Sequence, residues 1–271
     1  PEQVDSVATE SLRILRKLPD PRRACAFQAR GLVVGYVQSG KTANYTALAA
    51  RAADAGFRLV IVLSGIHESL RAQTQNRLER ELTGHQAGGV GTADIGHEWI
   101  ALTDPEKDFK AQDVRILQSA APFLIVAKKH VTVLKRIDAW LKKASRFLED
   151  LPLLVIDDEA DQASINTRGN RDPAISEGEG DGSDDEVEPS RTNGWIRSIL
   201  SRAGKAAYVA YTATPFANIL IDPGAEHSRF GIDLFPKDFV VQLPRPKGYT
   251  GTEELFGVAA EQRHVLRPVP E

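Results

Sequence analysis

The residues Gly35-Tyr-Val-Gln-Ser-Gly40-Lys41-Thr42 have the spacing G-x-x-x-x-G-K-[ST]. Flanking glycines let such a loop curl so that consecutive backbone N–H groups point at phosphate oxygens. A lysine in the position of Lys41 reaches the β and γ phosphates, and a hydroxyl in the position of Thr42 binds Mg²⁺. The loop predicts contacts to ATP from Gly35, Gln38, Ser39, Gly40, Lys41, Thr42 and Ala43. Its context fits. The apolar run Leu32-Val33-Val34 reads as a strand entering the loop, and Thr42 to Ala53 as an Ala-rich helix leaving it.

A second segment supplies carboxylates. Leu153-Leu154-Val155-Ile156 reads as a strand buried on both faces, and it ends in Asp157-Asp158-Glu159. Adjacent carboxylates repel and raise one another's pKa unless a cation joins them. Taken alone, the segment is equally a solvated acidic turn. Beside a phosphate loop it predicts that Asp158 holds Mg²⁺, in part through water. Glu159 would then orient or deprotonate an attacking water. The catalytic set expected is Lys41, Asp158 and Glu159, with Thr42 and Asp158 on the metal.

With these residues in place, a family resemblance emerges. Asp158-Glu159-Ala160-Asp161 spells the DEAD sequence, Gly35 to Thr42 resembles helicase motif I, and Thr212-Ala213-Thr214 resembles motif III of superfamily-two helicases. More narrowly, GLVVGYVQSGKTANYTALAARAADAGFRLVIVLSGIHESLRAQTQNRL, LLVIDDEADQASINT and YVAYTATPFANILID resemble the Z-one family over residues 30 to 222. Members of that family carry a helicase-like ATPase, are commonly described as endonucleases, and accompany bacterial restriction and phage-defence systems. The resemblance implies a RecA-like domain using ATP and Mg²⁺. It also implies a coupling role for Asp161, Thr212 and Thr214, and partners comprising nucleic acid (DNA favoured over RNA), a second RecA-like domain downstream and defence-system proteins. Helicase-like motors hold a strand just after strand ends, which makes Ser64, Gly65, Arg71, Lys128 and Lys129 candidate nucleic-acid contacts; ordinary surface charge is the competing reading.

The elements that must position these residues alternate. Gln3 to Leu18 reads as an amphipathic helix, Arg58 to Leu63 as a strand, and Ile66 to Leu82 as a helix with Leu70, Leu78 and Leu82 on one stripe. Residues 84 to 111 read as a loop region with short elements. Strand Phe123 to Ala127, helix Thr132 to Phe147, the carboxylate strand, helix Trp195 to Arg202 and strand Ala207 to Tyr211 follow. This alternation predicts an α/β fold with a doubly wound, mainly parallel sheet in three α/β/α layers, of the P-loop NTPase (RecA-like) type. The expected organisation is an N-terminal helical extension at 1–30, the ATPase domain at 31–222 with a disordered acidic insertion near 168–192, and a C-terminal extension at 223–271.

Composition narrows the class. With 42% apolar and 26% charged residues, the chain of 271 reads as globular. No run approaches the length of a membrane span and no signal-type N-terminus is present, so no membrane partner and a cytoplasmic location are expected. Cys25, the only cysteine, excludes an internal disulfide and reads as a small buried hydrophobe. The segment Glu177 to Glu188 holds seven acidic residues and reads as a solvated insertion. The tail after Pro223 carries five prolines and is too short for a second core; a strand at Phe239 to Leu243 is expected to pack on the first domain. The absence of methionine suggests a piece of a longer protein. The leading expectation is an ATP-dependent DNA motor or remodeller in bacterial defence. Two others stand beside it, an ATP-driven conformational switch that recruits partners without translocation, and an endonuclease.

Overall fold

The computed structural model describes residues 2–36, 40–83, 98–149, 151–165, 189–224, 226–227 and 231–249. Helix α1 (Glu2–Leu15) leads into strand β1 (Phe27–Val34), then α2 (Lys41–Ala55), β2 (Leu59–Ser64) and α3 (Glu68–Leu78), which runs on into a π-helical turn at Glu79–Thr83. Next come β3 (Ile100–Ala101), β4 (Phe123–Ala127), α4 (Val131–Lys143), α5 (Ser145–Leu148) and β5 (Leu153–Asp158). The chain ends with α6 (Pro189–Ser201), β6 (Lys205–Thr212), α7 (Phe216–Ile219), the small pair β7 (Glu226–His227) and β8 (Gly231–Ile232), and β9 (Phe239–Gln242).

Seven strands form one sheet in the order β3-β4-β2-β5-β6-β1-β9, and every pairing in it is parallel. Parallel strands require crossovers, and the helices that make them cover both faces. The alternation of side chains along β2 shows this directly. Leu59, Ile61 and Leu63 belong to one apolar core with α4 and α6, whereas Val60 and Val62 belong to the other with α1 and α2. The architecture is the three-layer, RecA-like doubly wound fold that the alternation of elements predicts.

Both expected extensions pack on this unit, the tail through the strand expected at Phe239 to Leu243. Ile14 and Leu18 are buried in the same core as α2, and Arg51 Nε donates to Ser11 Oγ at 3.1 Å, so α1 is packed on the sheet's helical layer. At the other end β9 pairs with β1, Gly31 facing Phe239, and extends the sheet beyond residue 222. Gly31 is required there because a Cβ at this position would overlap the Phe239 ring. The acidic insertion lies almost wholly outside the described residues.

Three local expectations are corrected. Leu70 is 41% exposed, and the buried face of α3 is formed by Arg71, Gln75 and Leu78. The expected helix from Thr132 to Phe147 is two helices that meet at Ala144. Cys25 is exposed, and its Sγ accepts from Arg23 Nε at 3.0 Å and Nη2 at 2.8 Å. That bonding holds the thiol below its ordinary pKa.

Candidate functional site

Because all the strands run in parallel, β1, β2, β5 and β6 end at one edge of the sheet, where open α/β sheets place ligand sites. The edge gathers what the sequence scatters. β1 delivers Gly35, whose N–H donates to Thr212 O at 2.9 Å and ties the loop base to the end of β6. Gln38 and Ser39 lie outside the described residues. Gly40 caps α2 with φ 84°, a left-handed conformation that favours glycine, and nothing lies within 4 Å of where its Cβ would be. Gly40 supplies no side-chain cap to α2, whose first turn holds no acidic residue. Lys41 Nζ donates to Tyr36 O at 3.3 Å. Ala43 is half-buried in that first turn.

A cleft of about 210 Å³ opens beside this helix end, lined by Thr42, Ser64, Gly65, Asp158 and Glu159 on one side and by α3 on the other. Burial holds the Asp158 carboxyl above its ordinary range. Lys41 opposes that rise and the neighbouring Glu159 charge adds to it. Glu159 adopts φ 51°, a conformation that costs a non-glycine residue about 1–3 kcal/mol and persists only when its surroundings enforce it.

Lys129 is what enforces it. The side chain is fully buried, pairs with the equally buried Asp157 at 3.0 Å, and donates to the carbonyls of Asp158 at 2.7 Å and Glu159 at 2.6 Å. Its own N–H donates to Gly65 O at 2.8 Å, so one residue joins the ends of β2, β4 and β5. Asp157 accepts a further bond from Tyr208 Oη at 2.6 Å, and burial together with that carboxylate pushes the Tyr208 phenol well up. Asp157 is therefore a structural anion facing the core, and only Asp158 and Glu159 reach the cleft.

Downstream, Asp161 binds both threonines of the Thr-Ala-Thr segment. Thr212 Oγ1 donates to its Oδ1 at 2.7 Å and Thr214 Oγ1 to its Oδ2 at 2.6 Å. Ala160 N donates to Tyr211 O at 3.0 Å, and Asn218 Nδ2 to Ala160 O at 3.3 Å. The turn after β5 is thus clamped from β4 on one side and from the end of β6 on the other.

Two nucleic-acid candidates are corrected. Lys129 is committed to the turn just described. Arg71 is fully buried, with Nε on Glu68 at 2.5 Å and Nη2 on the carbonyls of Asp104 and Pro105, each at 3.0 Å. Neither side chain reaches the surface. Ser64 is buried on the cleft wall and Gly65 lines the cleft, while Lys128 is part-exposed and pairs with Glu68 at 3.5 Å.

Sequence reasoning missed Tyr45 and Asn44. Tyr45 lies one turn along α2 from Lys41 and Thr42, fully buried, its hydroxyl without a hydrogen bond of normal geometry, and burial followed by the Asp158 charge pushes its phenol up. Asn44 accepts from Tyr211 Oη at 2.8 Å, and the rings of Tyr45 and Tyr211 meet edge to face at 5.6 Å. Helical spacing from Lys41 was the available signal.

The cleft offers polar groups of the kind a magnesium nucleotide would need. Among the described residues, Ser64 Oγ on the cleft wall has no hydrogen-bond partner, nothing lies within 4 Å of where a Cβ on Gly40 would be, and burial raises the Asp158 carboxyl against the opposing charges of Lys41 and Lys129. There is no group of three or more His, Cys, Asp or Glu side chains among the described residues that could hold a metal ion. Comparison with models of known protein families and with curated proteins returned no match. Among the described residues, no helix is long and apolar enough to cross a membrane.

Proposed function

We propose that this chain binds and hydrolyses ATP, as the motor domain of a helicase-like DNA remodeller or translocase of bacterial defence. The observation that carries the reading is the cleft joining Thr42, one residue from the glycine-capped start of α2, to Asp158 and Glu159 at the end of β5. The α2 N-terminus, Lys41 and the loop amides would bind the phosphates, and Thr42 with Asp158 would hold a Mg²⁺ ion, which when bound would supply charge neutralisation. Glu159 orients a water and takes its proton on a carboxylate oxygen, held in place by Lys129 through the Glu159 carbonyl. Asp161 ties the carboxylate turn to Thr212 and Thr214, giving a route by which hydrolysis is felt at the end of β6.

A specific observation favours a second reading, an ATP-driven switch that does not travel on DNA. Burial of Arg71 and Lys129 removes two of the cations on which a strand would rest. DNA-stimulated ATP hydrolysis separates the two.

The test of the site is binding and turnover. Lys41→Ala should weaken Mg-ATP binding only in part, because most phosphate contacts are backbone, and should damage turnover more. Glu159→Gln should keep ATP bound and lower turnover by about 10²-fold or more. Calorimetry and phosphate release check both; a folded wild-type protein that binds no nucleotide, or undiminished turnover by Glu159→Gln, contradicts the reading.

A further inference from the structure

Helix α3 turns a whole face into the cleft. Leu70, Gln73, Thr74 and Arg77 stand at spacings of i, i+3, i+4 and i+7, and all four line it opposite Thr42, Asp158 and Glu159. Of these four, Arg77 alone carries charge. Its Nε pairs with Glu81 at 2.9 Å, in the π-helical turn that continues the helix, and both side chains are about one-third exposed. Glu81 also lies 3.5 Å from Arg80. The Arg77–Glu81 pair is thus a weak, solvent-screened one, and Glu81 keeps a cation when Arg77 leaves it.

We propose that Arg77 is a phosphate-reading residue of this cleft, leaving Glu81 for the terminal phosphate of a bound nucleoside triphosphate. The inference rests on the ATP-site reading above and adds a recognition element to it. On the side of the β-strand ends the cleft is acidic, through Asp158 and Glu159, with Lys41 close enough to act on the Asp158 carboxyl. A triphosphate brings more negative charge to that space than a diphosphate, and a guanidinium on a long stem can meet two phosphate oxygens in parallel. The same geometry explains why the arginine stands on the cleft face although the buried face of α3 already carries another, Arg71. Such a contact distinguishes ATP from ADP from within the chain.

Calorimetric titration of the 271-residue chain with Mg-ATP and with Mg-ADP tests it, on wild type, Arg77→Ala, Glu81→Gln and Lys41→Ala. Arg77→Ala is expected to weaken ATP binding by about tenfold or more, the scale of a lost charge-assisted hydrogen bond, while ADP binding changes less than about twofold. Glu81→Gln releases the arginine and should leave ATP binding equal or tighter. Lys41→Ala should weaken both nucleotides. If wild type binds both and Arg77→Ala weakens neither, or both equally, the role of Arg77 is overturned while the nucleotide site stands. If wild type binds neither nucleotide, the site reading itself has failed. Unchanged thermal unfolding of Arg77→Ala, expected for a part-exposed side chain, shows that the comparison is between folded proteins.

Discussion

Lys41, Thr42, Asp158 and Glu159 were singled out from local spacing alone, and the fold brings Thr42, Asp158 and Glu159 to one cleft. A phosphate loop is contiguous, and a carboxylate pair at the end of an apolar run announces itself against a buried strand. Lys129 and Arg71 were misread for the converse reason. A lysine after an apolar strand looks the same whether it faces solvent or turns inward. Only the fold brought buried Asp157 and two backbone carbonyls within its reach. Asp158 carries the sharpest expectation of this group. Its folded pKa lies above the unfolded value, so between the two the folded chain holds more protons than the unfolded one. Stability contributed by this group therefore falls as pH rises through that window, and the full penalty remains above it. Asp158→Asn should raise the Tm at pH 7 while abolishing turnover. At a pH below the ordinary carboxylate range the two proteins should melt together. Scanning calorimetry at both pH values checks the sign, and an unchanged or lower Tm at pH 7 contradicts it.

Strands and helices were recognised from periodicity, but where they sit in the sheet was not. β9 reads as a short alternating strand, with Phe239 and Val241 buried and Val240 exposed. Nothing local in those residues says that they pair with β1, which lies some two hundred residues earlier. The pairing has a tertiary consequence at Gly31, where Phe239 occupies the space of a side chain. Further along the same segment, Tyr249 packs on Tyr36 at 5.2 Å, bringing the tail back to the base of the phosphate loop. Gly31→Ala is expected to displace β9 and cost about 1–3 kcal/mol, the usual penalty for overpacking a filled core. Phe239→Ala should cost much less in that background than in the wild type, since it vacates the contested space. Urea unfolding of the two single variants and the double variant measures this coupling; additive losses would show that the ring and the glycine do not compete.

One sheet divides the molecule into two apolar layers, and α1, α2, α4, α6 and the strands of that sheet pack into one or the other. Segments before residue 30 and after residue 222 contribute to these layers, through Ile14 and Leu18 and through Phe239 and Val241. A structure of this kind should unfold as a unit. The tryptophans make that testable, because Trp140 lies in one layer and Trp99 in the other. Trp195 packs against the layer of Trp140, so Trp99→Phe reports from that layer and the double variant Trp140→Phe/Trp195→Phe from the other. Fluorescence of each should give the same denaturation midpoint as far-UV circular dichroism of the same variant. Separate midpoints would mean that the layers unfold independently. By itself the sequence determined the fold class and singled out the glycine-flanked loop and the carboxylates, because these depend on strand and helix periodicity and on residues adjacent in the chain. Tertiary structure alone decided the order of strands, the inward turn of Lys129 and Arg71, the bond from Asp161 to both threonines, and the face that α3 shows to the cleft. Each of these depends on which distant segments meet, and on desolvation that no single segment can report. A charged side chain is drawn inside only when its partners are already there to receive it.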